Sequence, residues 1–193
     1  MSYGFMFYSL DLEKFKAACG SKDDKLRRMI SGRFKGEFTS YDADRDEGAL
    51  SLRDALRQVI MGEALDPRAG STYHYACKLI CEHFGKFMPN APLLPIHLSF
   101  IDDVDGALRD MGVFEAVSLS KLAYRGLPVD LPSPDDFPMT GYMTSAEVRT
   151  AREQLDAATY GGDHHDIAEA IDCIRDLLRA ANDKGHGVLS FVH

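Results

Sequence analysis

Apolar segments at the two ends of the chain constrain its fold more than any other feature. Gly4 to Leu10 is rich in aromatic side chains, and Val188 to Val192 is almost wholly apolar. Short segments of this composition are typical of strands. Long amphipathic segments with helical periodicity separate them. The pattern predicts an α+β fold in which both terminal strands belong to one small mixed or antiparallel sheet, packed by several helices.

Most of the chain between these strands has the periodicity of amphipathic helices. Apolar residues recur at helical spacing, and polar residues that cap helices stand before several of these segments. The clearest start is Thr144 with Glu147, which have the spacing of a capping box. The predicted helices cover Asp11 to Cys19, a segment that begins at Ser21 with Asp24, Ser51 to Met61, residues 72–87 behind a Ser71 cap, Ser99 to Met111, Thr144 to Ala158, and Asp163 to about Asp183.

Three further segments lack this periodicity. Gly36 to Gly48 is polar, and we expect a loop there. Val113 to Leu122 is mostly apolar and is expected to supply one or two strands. Four prolines lie between Leu127 and Pro138. Because proline fixes φ and has no N–H to donate, this segment is predicted to be an extended surface connection.

The length and composition favour a single domain. A chain of 193 residues fits one domain, and residues 1–193 are interpreted as a single α+β domain. A domain of this size buries roughly 70% of its unfolded surface, so it needs no disulfide or metal for stability. The hydrophobic fraction of 45% and the charged fraction of 27% are those of an ordinary globular protein.

Charge and cysteine content limit the partners and the compartment. Thirty acidic residues against 22 basic ones give a net charge of −8, which argues against nucleic-acid binding because that affinity depends on neutralising phosphates. We expect no membrane association, since no secretory leader is evident and no apolar run approaches the ~20 residues that span a bilayer. The four cysteines do not form the pattern of a secreted scaffold, so a cytoplasmic protein with reduced thiols is expected.

Three segments resemble known proteins of uncharacterised function. YHYACKLICEHFG (residues 73–85), DFPMTGYMTSAEV (residues 136–148) and DLLRAANDKGHGVLSFVH (residues 176–193) are similar to those of a set of uncharacterised bacterial proteins. The last third of the chain also resembles the YfbM-like domains. Both resemblances rest on capping and packing motifs rather than on catalytic residues. They imply a cytosolic bacterial α+β domain and leave its activity open.

The helix predicted over residues 72–87 carries one candidate site. His74, Cys77 and Cys81 stand at i, i+3 and i+7, so their side chains project from one side of a helix. They could provide three ligands for zinc or copper, or His74 could deprotonate Cys77 for nucleophilic catalysis. The same helix has a continuous apolar stripe that includes both cysteines. Core packing is therefore the favoured interpretation, since free cysteine is among the most buried residue types.

The stretch GGDHHDIAEA carries the other candidate residues, His164, His165 and Asp166. Adjacent histidines on a helix diverge by about 100° and do not easily share one ion. Asp163 has the position of an N-cap, and Asp166 falls at N3, where it complements the helix dipole. We therefore interpret this stretch mainly as a helix start.

These patterns favour a protein that binds partners over one that catalyses a reaction. The chain has no dinucleotide-binding, phosphate-loop, nucleophile-elbow or zinc-protease motif. We expect a non-catalytic cytosolic protein-interaction module, such as a partner-neutralising or immunity-like protein, with no cofactor and with a possible homo-oligomeric state. Gly36 to Gly48 and Leu127 to Pro138 are the expected contact loops. The alternative is an unusual enzyme with a His/Asp or Cys/His site that could use zinc.

Overall fold

The computed structural model describes residues 3–193, which form nine α-helices, one short 3-10 helix and four strands. The strands are β1 (Phe5–Leu10), β2 (Lys86–Met88), β3 (Met139–Met143) and β4 (Gly187–Val192). The helices are α1 (Leu12–Ala18), α2 (Asp24–Arg33), α3 (Lys35–Ala43), α4 (Leu52–Met61), α5 (Gly70–Phe84), α6 (Ser99–Asp110), α7 (Leu119–Tyr124), α8 (Ser145–Ala157) and α9 (His165–Asn182), and the 3-10 helix is Ala91–Leu93.

The two terminal strands pair with each other at the centre of an antiparallel sheet. The strand order is β2-β1-β4-β3, and every pairing is antiparallel. β1 and β4 are in register from Phe5 opposite Val192 to Leu10 opposite Gly187. The prediction of an α+β fold with both terminal strands in one sheet is confirmed.

Both faces of this sheet are buried beneath helices. Val188 and Val192 of β4 belong to one apolar cluster, whereas Leu189 and Phe191 belong to another on the opposite face. Helices α1–α5 supply the cluster around Leu189, and helices α6–α9 supply the cluster around Val188. Successive strand side chains point to opposite faces, so a uniformly apolar β4 is what a two-sided core requires.

Two predicted segments adopt a different structure. Gly36 to Gly48 is not simply a loop, because α3 extends through it as far as Ala43 and buries Phe38 in the core. Val113 to Leu122 contains no strand, because it enters a turn and then α7. The Asp105 carboxylate accepts the backbone N–H groups of Leu119 and Ser120 at 2.6 and 3.1 Å, which stabilises the start of that helix.

Strands β2 and β3 were not predicted, and the predicted starts of α2, α5 and α9 were misplaced. α2 begins at Asp24 behind an Asp23 cap rather than at Ser21. The helix predicted over residues 72–87 ends at Phe84, and Gly85 leads in extended backbone into β2. α5 begins at Gly70 with no side-chain cap, so Ser71 is not its N-cap. α9 begins at His165 with His164 at the cap position, so the assignment of Asp163 as N-cap was wrong, and Asp166 stands at N2 rather than at N3.

The predicted start of α8 is confirmed. Thr144 and Glu147 form a complete capping box, in which the Glu147 carboxylate accepts the Thr144 N–H at 2.8 Å. Burial alone would raise the pKa of Glu147, but hydrogen bonds from Thr144 and Arg125 outweigh it and hold the pKa at about 2. The charged box therefore stabilises the helix at neutral pH.

β3 and α7 are in direct backbone contact. A Cβ atom on Gly141 would overlap the backbone of Leu122 and the Lys121 carbonyl oxygen. From the adjacent strand β4, the Ser190 hydroxyl donates to the Leu122 carbonyl and lies 3.0 Å from the Gly141 carbonyl oxygen. Only glycine permits this approach, which holds α7 against the β3 edge of the sheet.

We expect Gly141→Ala to lower the free energy of unfolding by about 3 kcal/mol, because the added methyl group meets backbone atoms that cannot rotate away. Gly106→Ala is the matched control, since Gly106 lies within α6 and a Cβ there meets open space. That control should be stabilised by about 0.5–1 kcal/mol. Urea denaturation measures both values, and equal stabilities for the two variants would contradict the close contact.

Candidate functional site

Cys77 and Cys81 lie in the core on the inner side of α5. Both are fully buried within the apolar cluster that α1–α5 form. Contact with the Cys19 thiol and burial raise the pKa of Cys77, and burial raises the pKa of Cys81. The thiolate, which is the nucleophilic and metal-binding form, is therefore strongly disfavoured at both positions. This placement agrees with the core-packing interpretation of the α5 cysteines.

His74 lies on the same helix but joins three separate parts of the chain. Its side chain is 4% exposed, and its Nδ1 lies 3.2 Å from the Thr140 hydroxyl of β3. The ring also hydrogen-bonds the backbone of Pro132, whose only polar group is an accepting carbonyl. Burial lowers the pKa of His74 to about 4, so the ring is neutral at neutral pH. A neutral imidazole thus connects α5, β3 and the proline-rich connection.

A cavity opens beside His74, at the β3 edge of the sheet, and we call it the His74 cavity. Its volume is about 360 Å³, in the range of small-molecule sites. The proline-rich connection covers it, while α5, the end of α7 and β3 form the remaining walls. It is lined by His74, Ala123, Tyr124, Gly126, Leu127, Val129, Asp130, Leu131, Ser133, Pro134, Asp136, Met139 and Thr140. It combines buried polar groups, apolar walls and exposed carboxylates.

The GGDHHD stretch lies elsewhere, exposed at the start of α9. His165 pairs with Glu169 of the next turn at 3.4 Å, and Asp166 lies in the first helical turn. His164 lines a cleft between the start of α9 and α6. α5 and α9 pack on opposite faces of the sheet, so the structure does not bring His164, His165 and Asp166 together with His74 and Cys77. No group of three His, Cys, Asp or Glu side chains suited to a metal ion occurs within residues 3–193.

A second surface, which we call the β2–α9 groove, escaped sequence analysis. It lies at the β2 edge, has a volume of about 560 Å³ and is mainly apolar. β2 and the segment after it form one side, and α9 forms the other. The lining consists of Lys86, Met88, Pro89, Ala91, Pro92, Glu169, Asp172, Cys173, Asp176, Leu177 and Ala180.

The missed strand explains why the groove was not found. The predicted helix extended to residue 87, so neither a strand nor a sheet edge was expected at β2. The signal present in the sequence is the regular spacing of Pro89, Pro92 and Pro95, which excludes a continuing helix beyond Met88.

The chain matches, over residues 1–193, the model of a family described as a domain of unknown function, DUF7691. The chain belongs to this family. Comparison with curated proteins found no match, and comparison with solved structures found none. The DUF7691 match is consistent with the resemblance to an uncharacterised family. Within residues 3–193, no helix is both long enough and apolar enough to cross a lipid bilayer.

The buried His74 should make stability depend on pH. Its pKa is about 4 in the folded protein and 6.5 in a model peptide, so the unfolded chain binds more protons between these values. Stability therefore falls as pH decreases through this window, by about 2 kcal/mol between pH 7 and pH 5 from His74 alone. Between pH 7 and pH 5, the free energy of unfolding of His74→Gln should therefore fall by about 2 kcal/mol less than that of the wild type.

Urea denaturation at both pH values measures this difference. His164→Gln is the control, because this exposed side chain is hydrated in both the folded and the unfolded states. An unchanged pH dependence in His74→Gln would show that the His74 ring is not buried in its neutral form.

Proposed function

We propose that the protein is a non-catalytic interaction module that binds an extended segment of a partner protein in the β2–α9 groove. The observation that carries this proposal is an exposed apolar groove beside an open sheet edge. A contiguous apolar surface of this kind is typical of protein-binding sites. The groove itself is built on a strand and a helix, which hold its walls in fixed positions.

The open edge supports an extended occupant. β2 stands at the end of the sheet and pairs with β1 alone among the described strands. Its outer side therefore presents backbone groups that an added strand can pair with. Met88 faces the groove, while the 46% exposed Phe87 projects from the other face of the same strand.

The charge of the groove indicates the chemistry of this segment. Glu169, Asp172 and Asp176 line its α9 side. Asp172 and Asp176 pair with Arg175 and Arg179 of the same helix, while Glu169 lies 3.4 Å from the His165 ring. The three acidic side chains remain 55%, 69% and 81% exposed for Glu169, Asp172 and Asp176, and pairings at such exposed carboxylates contribute little energy. An incoming Lys or Arg can therefore replace them. We infer an occupant that alternates apolar side chains with basic ones.

The proposal also covers the compartment, the source and the kind of protein. We propose a cytoplasmic bacterial protein of the partner-neutralising or immunity-like kind, with a last third related to the YfbM-like domains. The net charge of −8 supports a protein partner over a nucleic acid. The alternative of a Cys/His enzyme gains no support from the thiols, because the pKa values of Cys77 and Cys81 are raised by their surroundings.

A display library of random twelve-residue peptides tests the proposal. The library is selected on the wild type, with counter-selection on Ala180→Arg, which fills the groove with a long cationic side chain. We expect enriched peptides that alternate β-branched or aromatic residues with Lys or Arg. Fluorescence anisotropy should show that Ala180→Arg weakens a selected peptide at least about tenfold, a loss of about 1.4 kcal/mol.

Met29→Asp is the matched control for this experiment. Met29 is an exposed apolar residue of α2, on the helical layer that lies across the sheet from the groove. The Met29→Asp substitution should leave peptide binding unchanged. Peptides that are acidic, or that bind Ala180→Arg equally well, would contradict the proposal. A dimer that Phe87→Asp dissociates would identify a second copy of the chain as the occupant instead.

A further inference from the structure

The His74 cavity is a second potential site, independent of the β2–α9 groove. The cavity lies at the β3 edge of the sheet, whereas the groove lies at the β2 edge. The polar groups at its base are held in place before any ligand arrives, since His74 and Thr140 are both buried and bonded to each other. Preorganisation of this kind lowers the entropic cost of binding.

Two carboxylates give the cavity its charge. Asp130 and Asp136 are both exposed and line it, and no Lys or Arg does so. Neither carboxylate forms an ion pair with another described residue. The field of Asp136 also contributes to the raised pKa of Tyr75, after burial and the field of Tyr41. The mouth of the cavity therefore carries negative charge that no Lys or Arg among residues 3–193 neutralises by an ion pair.

The two cationic side chains of α7 and its C-cap, Lys121 and Arg125, pair with a different acid, Glu147. Arg125 Nη1 lies 2.8 Å from Glu147 and donates to the Tyr142 carbonyl at 3.0 Å. Lys121 Nζ lies 3.3 Å from the same Glu147 carboxylate. Because Glu147 also belongs to the capping box of α8, this network is tied to the fold. These cations are therefore not free to neutralise Asp130 and Asp136.

The remaining walls suit an apolar group. Leu127, Val129 and Leu131 of the proline-rich connection line the cavity and pack against the core. The Tyr124 ring, 58% exposed, also lines it and offers an aromatic surface to a cation. At neutral pH His74 adds no positive charge, because burial keeps its imidazole in the neutral form.

We propose that the His74 cavity binds a small organic ammonium ion that carries an apolar group. The ammonium group pairs with the Asp130 and Asp136 carboxylates at the mouth. The apolar group packs against the leucine and valine side chains of the proline-rich connection. A volume of about 360 Å³ limits the ligand to a small molecule. Anionic ligands are excluded by repulsion from the same two carboxylates.

Three probes of matched shape test the charge requirement: 2-phenylethylammonium, 2-phenylethanol and 3-phenylpropanoate. Binding to the full chain is measured at pH 7 by isothermal titration calorimetry and by ligand-observed NMR. We expect the ammonium probe to bind at least about tenfold more tightly than the alcohol, and the carboxylate not to bind. Comparable binding of the alcohol, or no binding of the ammonium probe at about 10 mM, would overturn the proposal.

Charge-neutral variants locate the site. Asp130→Asn and Asp136→Asn should each weaken the ammonium probe by about fivefold or more. Asp135→Asn is the matched control, because Asp135 is an exposed neighbour that does not line the cavity. Equal weakening by all three variants would mean that the probe responds only to the net charge of the surface. Because the β2–α9 groove is untouched by these variants, neither result bears on the proposed peptide site.

Discussion

The antiparallel pairing of β1 with β4 is the interaction on which the rest of the structure depends. It joins the two ends of the chain and places them at the centre of the sheet. All the helices must therefore lie within the loop of chain that this pairing closes. The entropy of closing so long a loop is offset by burying both strands on both faces, where side chains such as Phe5 and Phe191 lose all contact with water.

This central pair also determines where binding can occur. Helices cover both faces of the sheet, so its backbone is accessible only at the two edges. The β3 edge is covered by the chain itself: Gly126 donates its N–H to the Thr140 carbonyl at 2.8 Å, and Arg125 donates to the Tyr142 carbonyl. The β2 edge has only three residues of strand and no such cover from a described strand. A cavity forms beside the covered edge and a groove beside the open one.

Structural features that depend on neighbouring residues could be predicted from the sequence, whereas features that depend on distant contacts could not. The Thr144 and Glu147 capping box and the apolar stripe of α5 act within a few residues, so their signals survive in the sequence. β2 and β3 are short, and pairing with neighbouring strands stabilises them more than their own propensity does. The helix prediction over residues 72–87 was therefore too long by the length of β2. Val113 to Leu122 is apolar because its side chains pack in the core. Apolar composition alone did not distinguish a strand from a turn followed by a helix.

The sequence alone determined that this chain forms an α+β domain with strands at both ends, because strand and helix periodicities are local properties. It also indicated the buried role of Cys77 and Cys81, because they stand on an apolar helical stripe. Only the tertiary structure decided where polar groups meet. His74 joins Thr140 and Pro132 across more than fifty residues of chain, and Asp130 and Asp136 reach the same cavity because the proline-rich connection folds over α5. Such contacts depend on the packing of distant elements, for which a single sequence carries no local signal.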